Sequence, residues 1–159
     1  GAPSSWLAEV VAVLDGDTID VVDMQKHRQR IRLQGIDAPE VAHVQRRSGK
    51  TCQALGQPHA DQARQALAGK VQGQLVRIRT NGESSYERVV GYVVLGKRDI
   101  NLEMVAEGWA WSIAKRHDAS RVQHAYARAQ RKAQAEHRGL WDEAEPVHPA
   151  KWRMEKAGC

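Results

Sequence analysis

Thr18-Ile19-Asp20-Val21-Val22-Asp23 and Arg30-Ile31-Arg32-Leu33-Gln34-Gly35-Ile36 are two alternating stretches separated by the polar run 24–29. Alternation puts successive side chains on opposite faces of a strand, and the polar run is turn material, so 18–36 is predicted to be a β-hairpin. An acidic turn flanks each strand: Asp15-Gly16-Asp17-Thr18 enters the first, and Asp37-Ala38-Pro39-Glu40 leaves the second. Taken singly, Asp-Gly and Asp-x-Pro are ordinary turn chemistry. Across a hairpin they acquire a relation. With the turn centred near His27, Asp17 and Asp37 lie ten residues to either side of it and face each other at the open end.

Outward from the hairpin, residues 7–14, 75–80 and 88–95 are three more β-rich segments, which makes five predicted strands. Three helices are predicted. The first spans about 58–68, with Pro58 in its first turn and Ala60, Ala63 and Leu67 on one face. A short second helix, capped by Asp99 or Asn101, carries Met104 and Val105 and stops at Gly108. The third has Ser120 as cap, Val122, Ala125, Tyr126, Ala129 and Ala133 on one face, and Gly139 as its stop. From Asp142 onward Pro146 and Pro149 interrupt any period, so 142–159 is expected to be an extended tail pinned to a 1–141 domain by Trp141 and Trp152.

With 159 residues the chain is one domain on the usual size prior. Its hydrophobic content of 42% is too high for a disordered tail, and its longest aliphatic stretch, 10–14, is far short of the ~20 residues of a membrane helix. The net charge of +5 is concentrated: segment 115–138 carries seven basic residues and two acidic ones. Such a stripe is either a solvated helix face or a surface for an anionic partner. Cys52 and Cys159 belong to no metal or redox motif and are read as two unrelated thiols, a single bridge in an exported protein being the alternative.

Two carboxylates brought together repel, and a bound cation removes that penalty. Oxygen ligands with no His or Cys beside them favour a hard cation, Ca²⁺ or Mg²⁺, and the carbonyl of Ala38 is a further candidate ligand beside Asp17 and Asp37. Arg32 lies mid-strand and Glu40 just beyond the second acidic turn, which adds a cation and a spare carboxylate. Arg32 and Asp37 are five residues apart, so a regular strand would point them to opposite faces; a bulge at Gly35 is needed to reconcile them. The stretch 43–56, with Arg46, Arg47 and Lys50, follows directly and is read either as a basic lip over the site or as a loop without a role.

These residues resemble the staphylococcal nuclease (thermonuclease) family, where a D-G-D-T turn, an R-L-x-x-x-D-x-P-E segment and a Y-x-R occur in this order. Here they read Asp15-Gly16-Asp17-Thr18, Arg32-Leu33-Gln34-Gly35-Ile36-Asp37-Ala38-Pro39-Glu40 and Tyr86-Glu87-Arg88. The similarity continues through Asn101-Leu102-Glu103, Gly108-Trp109-Ala110 and Gly139-Leu140-Trp141. It implies a mainly β architecture, a five-stranded OB-fold barrel with three helices, and Ca²⁺-dependent hydrolysis of phosphodiesters in DNA and RNA that leaves 3′-phosphate ends. The family's metal ligands carry over to Asp17, Asp37 and the carbonyl of Ala38. Its catalytic Arg, Glu and Arg carry over to Arg32, Glu40 and Arg88, and its nucleotide-contacting Tyr to Tyr86. Basic residues that would hold the substrate backbone are Arg46, Arg47, Lys50, Lys115 and Arg116.

The chain departs from the family in two places. Glu87 stands where glycine is usual, and Ser112 to Arg116 replace tyrosines of the nucleotide pocket, so phosphate attraction is expected to carry more of the binding than base stacking. The rival reading is a non-catalytic OB-fold nucleic-acid-binding module. It calls for aromatic platforms, yet the chain has five Trp, three Tyr and no Phe, and only Tyr86 and Tyr92 fall near predicted strands. An enzyme that cuts DNA and RNA indiscriminately is expected outside the cytoplasm, secreted or periplasmic. It is also expected to act as a monomer, away from membranes, on single-stranded or locally opened substrate.

Overall fold

The computed structural model describes residues 4–82, 84–85, 88–113 and 120–156. In chain order the strands are β1 (Ser4–Asp15), β2 (Thr18–Asp23), β3 (Arg28–Leu33), β4 (Ile36–Asp37), β5 (His43–Arg47), β6 (Lys50–Ala54), β7 (Leu75–Thr80), β8 (Ser84–Ser85), β9 (Arg88–Leu95), β10 (Arg98–Asp99) and β11 (Trp111–Ser112). The helices are α1 (Ala60–Val71), α2 (Ile100–Ala106), α3 (Arg121–Ala135) and α4 (Pro149–Lys156), with a 3₁₀ turn at Gly139–Asp142.

β1 is long enough to serve two neighbours: Ser4 to Glu9 pair with β7, and Ala8 to Asp15 pair with β2. Register shifts at Val10/Ala12 and Val13/Asp15 bend the strand so that it can do both. β2 pairs with β3, β3 lies parallel to β9, and β9 pairs with β7, which closes a ring of five strands. Closure leaves these strands without a free edge and is the expected OB-type barrel. Alternation fills it: Ile19 and Val21, Ile31 and Leu33, and Val76 and Ile78 all point inward and are buried. Each fully buried aliphatic side chain of this kind contributes about 1.5–3 kcal/mol.

The helices close the barrel with their apolar faces. Ala60, Ala63, Leu67 and Val71 form the buried stripe of α1, Met104 and Val105 that of α2, and Tyr126 and Ala133 part of that of α3. Both expected caps form, since Asp99 accepts from the Leu102 amide and Ser120 from the Gln123 amide. Gly108 and Gly139 are packed back to back. A Cβ on Gly108 would fall 2.2 Å from the Arg138 carbonyl oxygen, and one on Gly139 would fall 2.5 Å from that of Gly108.

Four expectations are corrected. The hairpin turns earlier than His27, pairing Thr18 with Arg32 and Ile19 with Ile31, so Asp17 and Asp37 are not cross-strand partners. The cause lies in Asp23, whose carboxylate accepts from the Gln25 and His27 amides and tightens the turn while Lys26 takes a positive φ of 68°. α1 begins at Ala60, two residues beyond Pro58. On α3 it is Gln123 that is buried, whereas Val122 is 40% exposed. The tail contains a fourth helix, α4, because Pro149 sits where a missing amide costs nothing and Lys151 pairs with Glu155 one turn on.

Candidate active site

The first acidic turn is shaped by crowding. A Cβ on Gly16 would lie 2.8 Å from the Ala38 Cβ and 2.9 Å from the Ala63 Cβ, so only glycine lets α1 and the Ala38 segment close over Asp15-Gly16-Asp17. Asp17 is buried there, accepting from the Thr18 hydroxyl at 2.9 Å and from the Ala38 amide at 2.8 Å.

The second acidic segment reaches the first by a change of sheet rather than by hairpin register. β3 stops at Leu33, Gly35 takes φ +81°, and the chain re-enters a separate two-stranded ribbon in which Asp37 pairs with Trp111 and Ile36 with Ser112. The positive φ favours glycine, and a Cβ there would also push on the Gln123 side-chain amide, 2.9 Å away. The break at Gly35 does what the sequence demanded of a bulge there. Asn101, fully buried on α2, fixes the turn by donating to the Gln34 carbonyl at 2.9 Å while accepting from the Val93 amide at 3.1 Å.

Arg32 joins the two acids. Its Nη1 lies 3.3 Å from Asp17 Oδ2 and its Nη2 lies 3.3 Å from Asp37 Oδ1. The same guanidinium donates to the carbonyls of Leu33 and Ile36, each at 2.9 Å, which locks its plane. Burial alone would raise the Asp17 carboxyl; the charge of Arg32, with hydrogen bonds from Asp15, the Ala38 amide and Thr18, outweighs it and holds Asp17 low. Asp15 goes the other way: burial, then the neighbouring Asp17, push its carboxyl well above the usual range, and Glu40 adds to this. Asp15 accepts from the Asp17 amide at 2.9 Å and belongs to the site, although the sequence reading used it only as a turn residue.

Glu40 is held by its backbone. Its amide donates to Gln57 Oε1 at 3.2 Å and its carbonyl accepts from the Gln57 amide at 2.7 Å. Arg153 on α4 is the residue that sequence reasoning missed. It donates to Asp37 Oδ2 at 2.8 Å and Oδ1 at 3.3 Å, and to Glu40 Oε1 at 2.5 Å. The hydrogen bond to Asp37, then burial working against it, leave Arg153 more firmly protonated than a free arginine. Pro149 and the Lys151–Glu155 spacing were the available signals for the helix that carries it.

Arg88 pairs with Arg30 across the parallel β3–β9 ladder, while Arg32 pairs with Val90, so Arg88 shares the sheet face of Arg32 one step away. Tyr86, Lys115 and Arg116 lie outside the described residues. The stretch expected as a lip or loop is the hairpin β5–β6, turning at Ser48-Gly49 with both φ positive, and Arg46 and Lys50 are exposed on it. The backbone of Arg47 pairs with that of Lys50 in the ladder, and its side chain lies outside the described residues. The basic residues Arg121, Arg128, Arg131 and Lys132 of α3 face solvent, and its inner face presses on the Gly35 turn. Cys52 is disulfide-bonded, which overturns its reading as an isolated thiol; Cys159 lies outside the described residues.

Among the described residues no group of three or more His, Cys, Asp or Glu side chains is arranged to hold a metal ion. The expected set asks for less, namely two carboxylates and a carbonyl. In chemistry these fit a hard cation, since Asp17, Asp37 and Ala38 offer only oxygens and are 5%, 4% and 2% exposed.

A closed barrel with a buried arginine gripping two acids, a second arginine on the same face and a glutamate at the rim offers clustered charge suited to a phosphodiester rather than aromatic faces for base stacking. The sequence profile of the staphylococcal nuclease homologue family matches residues 30–143. The chain is 34% identical over 148 residues to an uncharacterized endonuclease of Haemophilus influenzae, covering 92% of this chain and 72% of the relative. It is 32% identical over 162 residues to micrococcal nuclease of Shigella flexneri, covering 94% and 82%. To Protein ParB of Escherichia coli it is 35% identical over 156 residues, covering 92% and 78%. The chain belongs to the staphylococcal nuclease family and is a nuclease that hydrolyses phosphodiester bonds of nucleic acid. No helix among the described residues is long and apolar enough to cross a membrane.

Proposed function

We propose that this nuclease is a Ca²⁺-dependent endonuclease that cuts both DNA and RNA with little sequence preference and leaves 3′-phosphate ends. The observation that carries the reading is Arg32, which spans Asp17 and Asp37 while Glu40 stands at the same rim. Asp17, Asp37 and the Ala38 carbonyl would hold the Ca²⁺, which when bound supplies positive charge for a phosphate oxygen. Arg32 and Arg88 present planar donors to the oxygens that gain charge as the phosphorus becomes five-coordinate, and Arg32 arrives with its plane already fixed by Leu33 and Ile36. Glu40, positioned through Gln57, orients the attacking water and takes its proton. Sequence tolerance follows from reading the backbone: Arg46 and Lys50 on the β5–β6 hairpin attract phosphates and address no base edge.

Export to a secreted or periplasmic location belongs to the same proposal and is supported by the disulfide at Cys52, since such bonds persist in oxidising compartments. The test is loss of single-stranded DNA and of RNA on incubation with the purified protein and Ca²⁺, against the same reaction with a chelator. Metal-dependent loss of both is expected. Intact substrate that shifts on a gel would instead mark a binding module.

A further inference from the structure

Asp37 is gripped from two sides. Arg32 reaches its Oδ1 at 3.3 Å, and Arg153 takes Oδ1 at 3.3 Å and Oδ2 at 2.8 Å. The same Arg153 guanidinium closes on Glu40 Oε1 at 2.5 Å. One side chain from the tail thus engages both an expected metal ligand and the expected base.

The placement is built into the tail. The Gln57 side chain accepts from the Glu40 amide and donates to the Val147 carbonyl at 2.5 Å, so the Glu40 loop and the lead-in to α4 are held by one residue. The His148 ring packs 4.7 Å from that of Trp111, the residue that pairs with Asp37 in the ribbon. α4 therefore starts from a fixed point, and Arg153 reaches the acids from its second turn.

A carboxylate offers about four lone-pair directions, and three of those on Asp37 already face guanidinium nitrogens. One direction is left, and a divalent cation taking it would stand against two guanidinium charges, so its binding is opposed until one arginine withdraws. Arg32 is tied to two backbone carbonyls and its side chain is 16% exposed, whereas that of Arg153 is 42% exposed at the surface. Arg153 is the one that yields.

We infer that Arg153 is a built-in counter-cation that competes with the divalent ion for Asp37 and with the attacking water for Glu40, so that α4 sets the Ca²⁺ concentration at which the active site opens. The inference rests on the Ca²⁺-dependent reading of the site. It assigns the C-terminal helix a regulatory role that a phosphate-binding arginine would not have, because a phosphate ligand would assist turnover without opposing the metal.

Calorimetric titration of the full chain with Ca²⁺, in the absence of nucleic acid, tests it on the wild type, Arg153→Ala and Arg153→Lys. Arg153→Ala should bind Ca²⁺ about tenfold tighter or more, since an opposing positive charge is removed at contact distance, and Arg153→Lys should stay near the wild type. The Ca²⁺ needed for half-maximal cleavage should fall by the same factor. Unchanged or weaker Ca²⁺ binding by Arg153→Ala overturns the inference, and Arg153→Gln gives the same readout should the alanine variant fold poorly. Tighter Ca²⁺ binding without cleavage by any variant would defeat the nuclease reading and leave the competition standing. Cleavage with identical Ca²⁺ midpoints would do the reverse.

Discussion

Asn101 donates from α2 to the carbonyl of Gln34 at 2.9 Å and, on its other side, accepts from the Val93 amide, so one fully buried amide joins β9 to the turn that delivers Asp37. The helix lends its side chain to two backbone groups of the barrel. Asn101→Leu should strand both in an apolar interior and cost about 3 kcal/mol in urea unfolding at neutral pH. Activity should fall further than the lost folded fraction explains, because the Gln34-Gly35 turn is loosened. A variant as stable as the wild type would show that these bonds are dispensable.

Glu40→Gln and Arg32→Ala should separate chemistry from structure. Each is expected to lower turnover by about 10² or more. Glu40 gives up only a partly exposed contact with Arg153, so its thermal melt should barely move. Arg32→Ala leaves two buried carboxylates without their shared cation, and a loss of about 3–5 kcal/mol is expected on top of the loss in rate. Equal melts for the two variants would contradict the bridging role of Arg32.

Glu103 offers a pH test away from the site. Its hydrogen bonds with Arg98, then those with Lys70, overcome partial burial and lower its carboxyl from 4.5 to about 2. A depressed carboxyl stabilises the folded state above its unfolded pKa, and this is lost as pH falls from 4.5 toward 2. Glu103→Gln should therefore be less stable at pH 7 and show a flatter decline through that acid window in urea midpoints. A parallel decline in the two proteins would sink the assignment.

Cys52 is bonded, and the sequence offers one other cysteine, Cys159. Peptide mapping of alkylated, unreduced protein should return a fragment that joins the two and disappears on reduction. Recovery of both as alkylated thiols would be the contrary result.

Much of the barrel is legible from alternation, because one more deeply buried face imposes period two on β3, β7 and β9, whereas in β2 Thr18 and Asp20 are buried along with Ile19 and Val21. The Asp99 and Ser120 caps and the Gly108 stop are local chemistry and were equally readable. The hairpin register was not, since a polar run tolerates several turn lengths and the choice falls to the Asp23 carboxylate. Asp17 and Asp37 were paired on the wrong geometric ground and are brought together by Arg32 and the Gly35 turn instead. Arg153 was invisible because its partners lie more than a hundred residues away, and a short helix with few apolar residues leaves little periodic trace.

The sheet change at Gly35 divides the acidic pair between two pieces of architecture. Asp17 is anchored to the closed barrel, whereas Asp37 belongs to a ribbon of two residues a side, held by Trp111 and Ser112. So short a ladder can part without breaking any barrel pairing, and its opening free energy lies far below that of global unfolding. One acid therefore shares the rigidity of the closed barrel, and the other depends on a short ribbon and on the two arginines that grip it. Hydrogen exchange at the Asp37 amide should be faster than at Ile19 or Ile31, so that the rim carrying Asp37 opens without the barrel.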